Sequence, residues 1–262
     1  MPAPVNPYHP LPRLPLVSGR HDLILSHCRG QRVLHIGCVD AGLLEERFQR
    51  GELMHQRLAA VSGELWGVDI HAEGIAFLRQ QGFDHLVTGD MSDPAILTQL
   101  PAGYFDVCVA SEVIEHLLNP GLFLQNIKKL MIPEKTELII TTPNAYRVET
   151  ILSLLLQNIE FIHPDHNFWF SYVTLTNLVR KSGLRVEEVY MYTFQPTTWR
   201  PAKVRPASPS RPGAETRRLD SWRSRLARGP RRLVSTWLLR RHPCWGDGFI
   251  VIARAPADER VA

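Results

Sequence analysis

Short apolar runs recur along the chain, several of them closed by a glycine or an acidic residue and followed by a stretch of helical periodicity. Residues 32–37 (RVLHIG) form the first run, and LLEERFQR follows at helical spacing, which predicts a βα unit. The pattern repeats at 64–70 (ELWGVDI) with a helix over 73–81, and again, briefly, at 85–87 before Gly89 and Asp90. Residues 104–110 (YFDVCVA) make the most continuous apolar strand. Asn119 and Pro120 then supply an N-cap and a first-turn proline for a helix reaching about Met131. Residues 137–142 (ELIITT) predict a fifth strand stopped at Pro143, and Ser171 caps a helix over 172–182 that Gly183 closes. Strands follow at 185–194 and 248–253.

Alternating strands and helices with short connections predict an α/β fold, a Rossmann-like seven-stranded, mostly parallel sheet with helices on both faces and an antiparallel last strand. In such sheets ligands sit beyond the carboxyl ends of the strands. Residues 21–195 and 247–255 make up this domain. A Pro-rich arm with six prolines in the first twenty residues precedes it, and residues 196–246 form an insertion.

Charge separates the insertion from the body. Residues 200–241 carry twelve arginines and one lysine against Glu215 and Asp220, a net +11 that leaves −7 for the rest of a chain whose total is +4. Leu219, Trp222, Leu226, Leu233, Trp237 and Leu238 would line one face of a helix on either side of Gly229-Pro230. That pattern suits peripheral contact with an anionic membrane better than nucleic acid, for which no recognition signature is present. A solvated loop covering the sheet edge is the other reading, and residues 196–213 have a composition typical of disorder. No apolar run reaches the roughly 18 to 20 residues needed to cross a bilayer. The arm has no secretory apolar core, and Cys28, Cys38, Cys108 and Cys244 show no pairing pattern, so a cytoplasmic location is expected.

The candidate chemistry lies at the predicted strand ends. Gly37-Cys38-Val39-Asp40-Ala41-Gly42 is a turn in which glycine lets the backbone approach a ligand, although the spacing is not GxGxxG and a plain βα connection has the same form. Asp69 ends the second strand, where a carboxylate accepts from two ribose hydroxyls, and Asp90 follows the third, within reach of an adenine amino group. Each alone reads equally as a solvated turn aspartate.

Taken together, VLHIGC (33–38), GVDI (67–70), TGDM (88–91), FDVCVASEVIEHL (105–117) and LIITTPN (138–144) resemble the class I S-adenosylmethionine-dependent methyltransferases. The resemblance is to the subgroup with a Glu-x-x-Glu-His motif after the fourth strand, and it spans about 110 residues in the family's order. It implies S-adenosylmethionine as methyl donor, held by His35, Gly37, Cys38, Asp69, Ile70, Asp90, Met91 and Ser111. It also implies a last strand pair forming an antiparallel hairpin. Two positions depart from the family: His35 stands where an acidic residue is usual, and Val39 adds a side chain where a second glycine is usual.

At the reacting end, a helical turn beginning at Glu112 would put Glu112, Glu115 and His116 on one face. His116 then serves as general base toward an acceptor hydroxyl, with Glu112 and Glu115 beside it. The alternative, which the resemblance to small-RNA 2′-O-methyltransferases implies, is a divalent metal on Glu112, Glu115, His116 and His163 or His166. A metal-free site is preferred. His163, His166 and Trp169 are the acceptor-binding candidates, the aromatics 168–170 being read equally as packing. A small polar acceptor such as a sugar or glycan-lipid intermediate is expected. RNA methylation, or a binding role with a degraded cofactor site, is the alternative.

Overall fold

The computed structural model describes residues 8–160, 162–193 and 243–257. Its strands are β1 (Leu16–Ser18), β2 (Arg32–Ile36), β3 (Glu64–Asp69), β4 (Leu86–Thr88), β5 (Val107–Ser111), β6 (Glu137–Pro143), β7 (Arg185–Thr193) and β8 (Gly248–Arg254). Its helices are α1 (Arg20–Cys28), α2 (Leu44–Gln49), α3 (Met54–Ala59), α4 (Ala72–Gln80), α5 (Pro120–Leu130), α6 (Val148–Gln157) and α7 (Tyr172–Lys181). The sheet order is β1-β7-β8-β6-β5-β2-β3-β4, with β8 antiparallel to both its neighbours and every other pair parallel.

Seven of these strands are the predicted ones, and the expected count is corrected to eight. The additional strand comes from the Pro-rich arm, where Leu14 is buried, the Pro15 carbonyl accepts from the Met191 amide, and Leu16 to Ser18 pair with Met191 to Thr193. A three-residue edge strand has no internal alternation by which sequence could announce it.

Two-residue periodicity divides the core. Leu34 and Ile36, Cys108 and Ala110, and Leu138 and Ile140 face one side of the sheet, against Phe123, Leu124 and Ile127 of α5 and Leu175 and Val179 of α7. Their neighbours Val33, Val107, Val109 and Ile139 face the other side, against Ile24 and Cys28 of α1 and Leu58 of α3. Both faces being covered, the strands read as nearly continuous apolar runs. Capping fixes where the helices start: Asn119 Oδ1 accepts from the Leu122 amide, and Ser171 and Thr174 form a reciprocal capping box at α7. Such caps contribute about 1 kcal/mol each.

Strand β2 lies between β3 and β5, and the chain leaves it toward β4 on one side and toward β6 on the other. The crevice at the carboxyl ends of β2 and β5 is therefore the topological switch point, where an open α/β sheet accepts a ligand. Most of the 196–246 insertion, including the predicted apolar helix face, lies outside the described residues. Its last residues are anchored, since the carbonyls of Cys244 and Gly246 accept from Asn144 Nδ2 just beyond β6.

Gly67 of β3 is enclosed under this crevice: a Cβ there would stand 2.6 Å from Leu86 Cδ2, 2.8 Å from His55 Cε1 and 2.9 Å from Cys38 Sγ. Gly67→Ala is expected to destabilise the protein by about 1–3 kcal/mol, measured by chemical denaturation.

Candidate functional site

Beyond β2 the chain turns at Gly37, whose φ of +73° suits glycine. Its amide donates to the Val68 carbonyl at 2.8 Å, and a Cβ would stand 2.4 Å from Val113 Cγ2. Val39, the departure from the usual glycine, is accommodated by a glycine elsewhere. Its side chain packs on Gly74 of α4, where a Cβ would be only 2.3 Å from Val39 Cγ1. The Val39 amide donates to Asp69 Oδ2 at 2.8 Å.

Asp69 is nearly buried and also accepts from the His71 amide at 2.9 Å through Oδ1. Burial raises its pKa while these amide bonds oppose the rise. A carboxylate oxygen has two lone pairs, so one that accepts a single amide can still accept a hydroxyl. Ile70 is 73% exposed beside it, available to cover an apolar ring. Asp90 is exposed just beyond the neighbouring strand β4 with Oδ1 fixed by the Ser92 amide, while Met91 is buried and its carbonyl takes the Asn126 amide group.

His35 and Cys38 have side chains in the core rather than free for polar contact. His35 Nδ1 lies 3.2 Å from Nδ1 of His55, the rings stacked, and burial lowers both pKa values, that of His55 to about 4. This buried pair, two neutral imidazoles, replaces the usual acid. Burial pushes the Cys38 thiol far up, so it is not a nucleophile.

The cleft so formed, about 670 Å³, continues to Glu112, His116, His163 and His166. The expected helical turn from Glu112 is corrected here. Glu112 is left-handed, with φ +57°, and a single 3-10 turn follows over Ile114–His116, so Glu112, Glu115 and His116 do not share a face. Glu112 pairs with Arg20 at 2.9 Å and accepts from Thr141 Oγ1 at 2.9 Å and from the Tyr192 hydroxyl at 3.1 Å. Burial and Glu112 push the Tyr192 phenol up, which keeps it a donor. Thr141 has a single hydroxyl proton and gives it to Glu112, so Ser111 donates to Thr141 at 2.9 Å.

Glu115 turns into the core and does not line the cleft. Thr142 Oγ1 donates to its Oε2 at 2.9 Å, and its buried Oε1 has no partner among the described residues. Burial, then the nearby Glu112, push its pKa up to about 8, so it is chiefly protonated at neutral pH. His116 Nδ1 lies 3.1 Å from the Asp165 carbonyl, which only accepts; the ring proton is therefore on Nδ1 and the lone pair on Nε2.

Loop residues 163–168 bring His163 and His166 against His116, one ring nitrogen of each lying within 4.8 Å of the others. Burial, then the two neighbouring imidazoles, lower the His166 pKa. Trp169 is not a lining residue: its indole donates to Glu160 at 3.2 Å, and the adjoining Phe170 is core. The mixed carboxylate and imidazole metal shell does not assemble either, because Glu112 is neutralised by Arg20 and Glu115 faces Thr142. Arg20 and His21 line the cleft unannounced by sequence; they lie about ninety residues before Glu112 and carry no motif.

Residues 13–189 match a protein family described as a methyltransferase domain. A ubiquinone biosynthesis O-methyltransferase of Xanthomonas oryzae pv. oryzae is 25% identical over 208 residues, covering 75% of this chain and 78% of that protein. A mitochondrial ubiquinone biosynthesis O-methyltransferase of Rattus norvegicus is 26% identical over 177 residues, 64% of this chain and 48% of the other. A SAM dependent methyltransferase from Archaeoglobus fulgidus matches in structure with a TM-score of 0.51 at 20% identity, over 90% of this chain and 95% of that one, a likeness of fold.

Glu115 gives a pH test. The folded state holds a proton that the unfolded state releases above its ordinary pKa of 4.5, so its contribution to stability declines as pH rises from 4.5 to about 8. Glu115→Gln keeps a neutral side chain, and its melting temperature should fall less than that of the wild type between about pH 5 and pH 8.5.

Proposed function

Because the chain belongs to the methyltransferase-domain family and is an S-adenosylmethionine-dependent enzyme, we propose that it methylates a hydroxyl oxygen of a small polar acceptor, with His116 as general base. The observation that carries this reading is the His116 ring, held through Nδ1 by a carbonyl with its Nε2 lone pair available, in the same cleft as Asp69 and Gly37. Asp69 and Asp90 would hold the adenosine end, with Ile70 and Met91 beside the ring, and Arg20 offers a cation to the carboxylate end. When bound, the cofactor supplies an electrophilic methyl group. The protein's own part is to orient the acceptor oxygen in line with that methyl and to take its proton on His116 Nε2.

Two named relatives are O-methyltransferases, which supports oxygen as the acceptor atom. A sugar or glycan-lipid hydroxyl, or a hydroxylated precursor of the ubiquinone type, suits this cleft. RNA methylation loses support with the unassembled carboxylate shell, and a degraded cofactor site loses it with the accommodation of Val39 by Gly74. His116→Ala should lower kcat by about 10²–10⁴-fold. Isothermal titration should show its S-adenosylmethionine affinity within about twofold of the wild type. Undiminished turnover in this variant refutes the base assignment, and a wild-type protein that takes up no cofactor refutes the whole reading.

The reading extends to where the acceptor is met. Leu154, Leu155 and Leu156 at the end of α6 are 54%, 73% and 65% exposed, on the segment that leads into the His163 loop. Among the described residues no helix is long and apolar enough to cross a membrane. Exposed leucines, together with the +11 charge of residues 200–241, suit contact with an anionic lipid surface. The protein should co-sediment with phosphatidylserine vesicles, less with phosphatidylcholine ones, and Leu155→Glu should weaken the association; equal pelleting of variant and wild type counts against it.

A further inference from the structure

The ring of His116 is held by a group distant along the chain. Its Nδ1 donates to the Asp165 carbonyl at 3.1 Å. The segment bearing that carbonyl is fastened to the turn of His116 by three further bonds. The amides of Asn167 and Phe168 donate to the Glu115 carbonyl at 2.8 and 3.2 Å, and Asn167 Nδ2 donates to the His116 carbonyl at 2.7 Å. Asn167 thus makes two of the three, one from main chain and one from side chain. Beyond it the chain is fixed again just past β6, where the Ala145 amide donates to the Phe170 carbonyl at 2.8 Å. Asp165 itself lies in a turn closed on His163: the His166 amide donates to the His163 carbonyl at 3.1 Å, and the Asp165 amide to His163 Nδ1 at 3.3 Å.

These contacts decide a tautomer. A neutral imidazole carries its proton on either nitrogen, and the hydrogen bond made by one nitrogen selects the form. A carbonyl at Nδ1 selects Nδ1–H and leaves the lone pair on Nε2. In the other form Nε2 would donate toward the cleft and could not take a proton from an acceptor. Neither nearby carboxylate orients the ring, because Glu112 is engaged by Arg20, Thr141 and Tyr192, and Glu115 by Thr142. The orienting group is a main-chain carbonyl, and its place against His116 depends on how the loop is fastened. The Asn167 side chain is exposed, so changing it alters the fastening and leaves the core intact.

We propose that Asn167 is a positioning residue for His116, clamping the 163–168 loop onto the turn after β5 so that the Asp165 carbonyl holds the ring in its Nδ1–H form. The clamp stands on the geometry alone, whereas its effect on turnover rests on the proposed function.

The test is ¹⁵N NMR of the full chain labelled at its histidines, at about pH 7.5, where imidazoles are chiefly neutral. The His116 signals are identified by their loss in His116→Ala. In the wild type Nδ1 should be protonated and Nε2 bare. The signals should move toward the Nε2–H form in Asn167→Ala and in the isosteric Asn167→Asp, which keeps the main-chain bonds but cannot donate to the His116 carbonyl. With that change kcat should fall about tenfold to a hundredfold, while S-adenosylmethionine affinity stays within about twofold of the wild type. A melting temperature within about 5 °C of the wild type reports that both variants are folded. An Nε2–H ring in the wild type, or His116 signals unchanged in both variants, overturns the clamp. A shifted tautomer with undiminished turnover leaves the clamp standing and removes His116 as the base, and with it the proposed mechanism.

Discussion

The charge of Glu112 organises the working end of this protein. It stands just past β5 in a left-handed conformation that a non-glycine residue adopts only under constraint, and the constraint comes from three other elements. Arg20 arrives from α1, Thr141 from β6 and Tyr192 from β7, all directed at the same carboxylate oxygen. Both side chains are only partly exposed, so removing one partner would leave the other charge partly desolvated and unpaired. The pairing ties α1, near the start of the described chain, to β6 and β7. It also directs the chain that follows, so that Ile114 and Glu115 turn inward and His116 remains at the rim.

A division of labour follows. The deep half of the cleft is built from main chain and glycine: the Gly37 turn, the Val39 amide on Asp69, and Gly67 and Gly74 where side chains would collide. In the cleft and in the core beneath it, the charge of the side chains has been managed. Glu112 is neutralised by a cation, Glu115 by a proton, and His35 and His55 by burial. Asp69 and Asp90 line one part of the cleft, and a group of imidazoles lines another.

Much of this was legible one residue at a time. The apolar runs located seven strands, because a strand covered on both faces must be apolar almost throughout, and Asp69 and Asp90 could be placed because they end or follow such runs. The shared helical face expected for Glu112, Glu115 and His116 does not form, for an identifiable reason. The spacing of Glu-x-x-Glu-His fits a helical face, but spacing carries no information on the sign of φ at Glu112. For the aromatics 168–170 stacking on an acceptor and packing are equal readings from sequence; the chain leaves the rim beyond Asn167, with Trp169 on Glu160 and Phe170 in the core.

The sequence by itself determined the βα alternation, the switch-point crevice and the residues at the strand ends, because these depend on local periodicity and on which side chains can end a strand. Tertiary structure decided everything that depends on a partner distant along the chain. It set Arg20 against Glu112, turned Val39 onto Gly74, paired His35 with His55, and drew His163 and His166 to His116. The physical reason is common to all four. Desolvation and close contact act through space, and neither the charge state of a carboxyl nor the room for a methyl group is a property of a residue and its immediate neighbours.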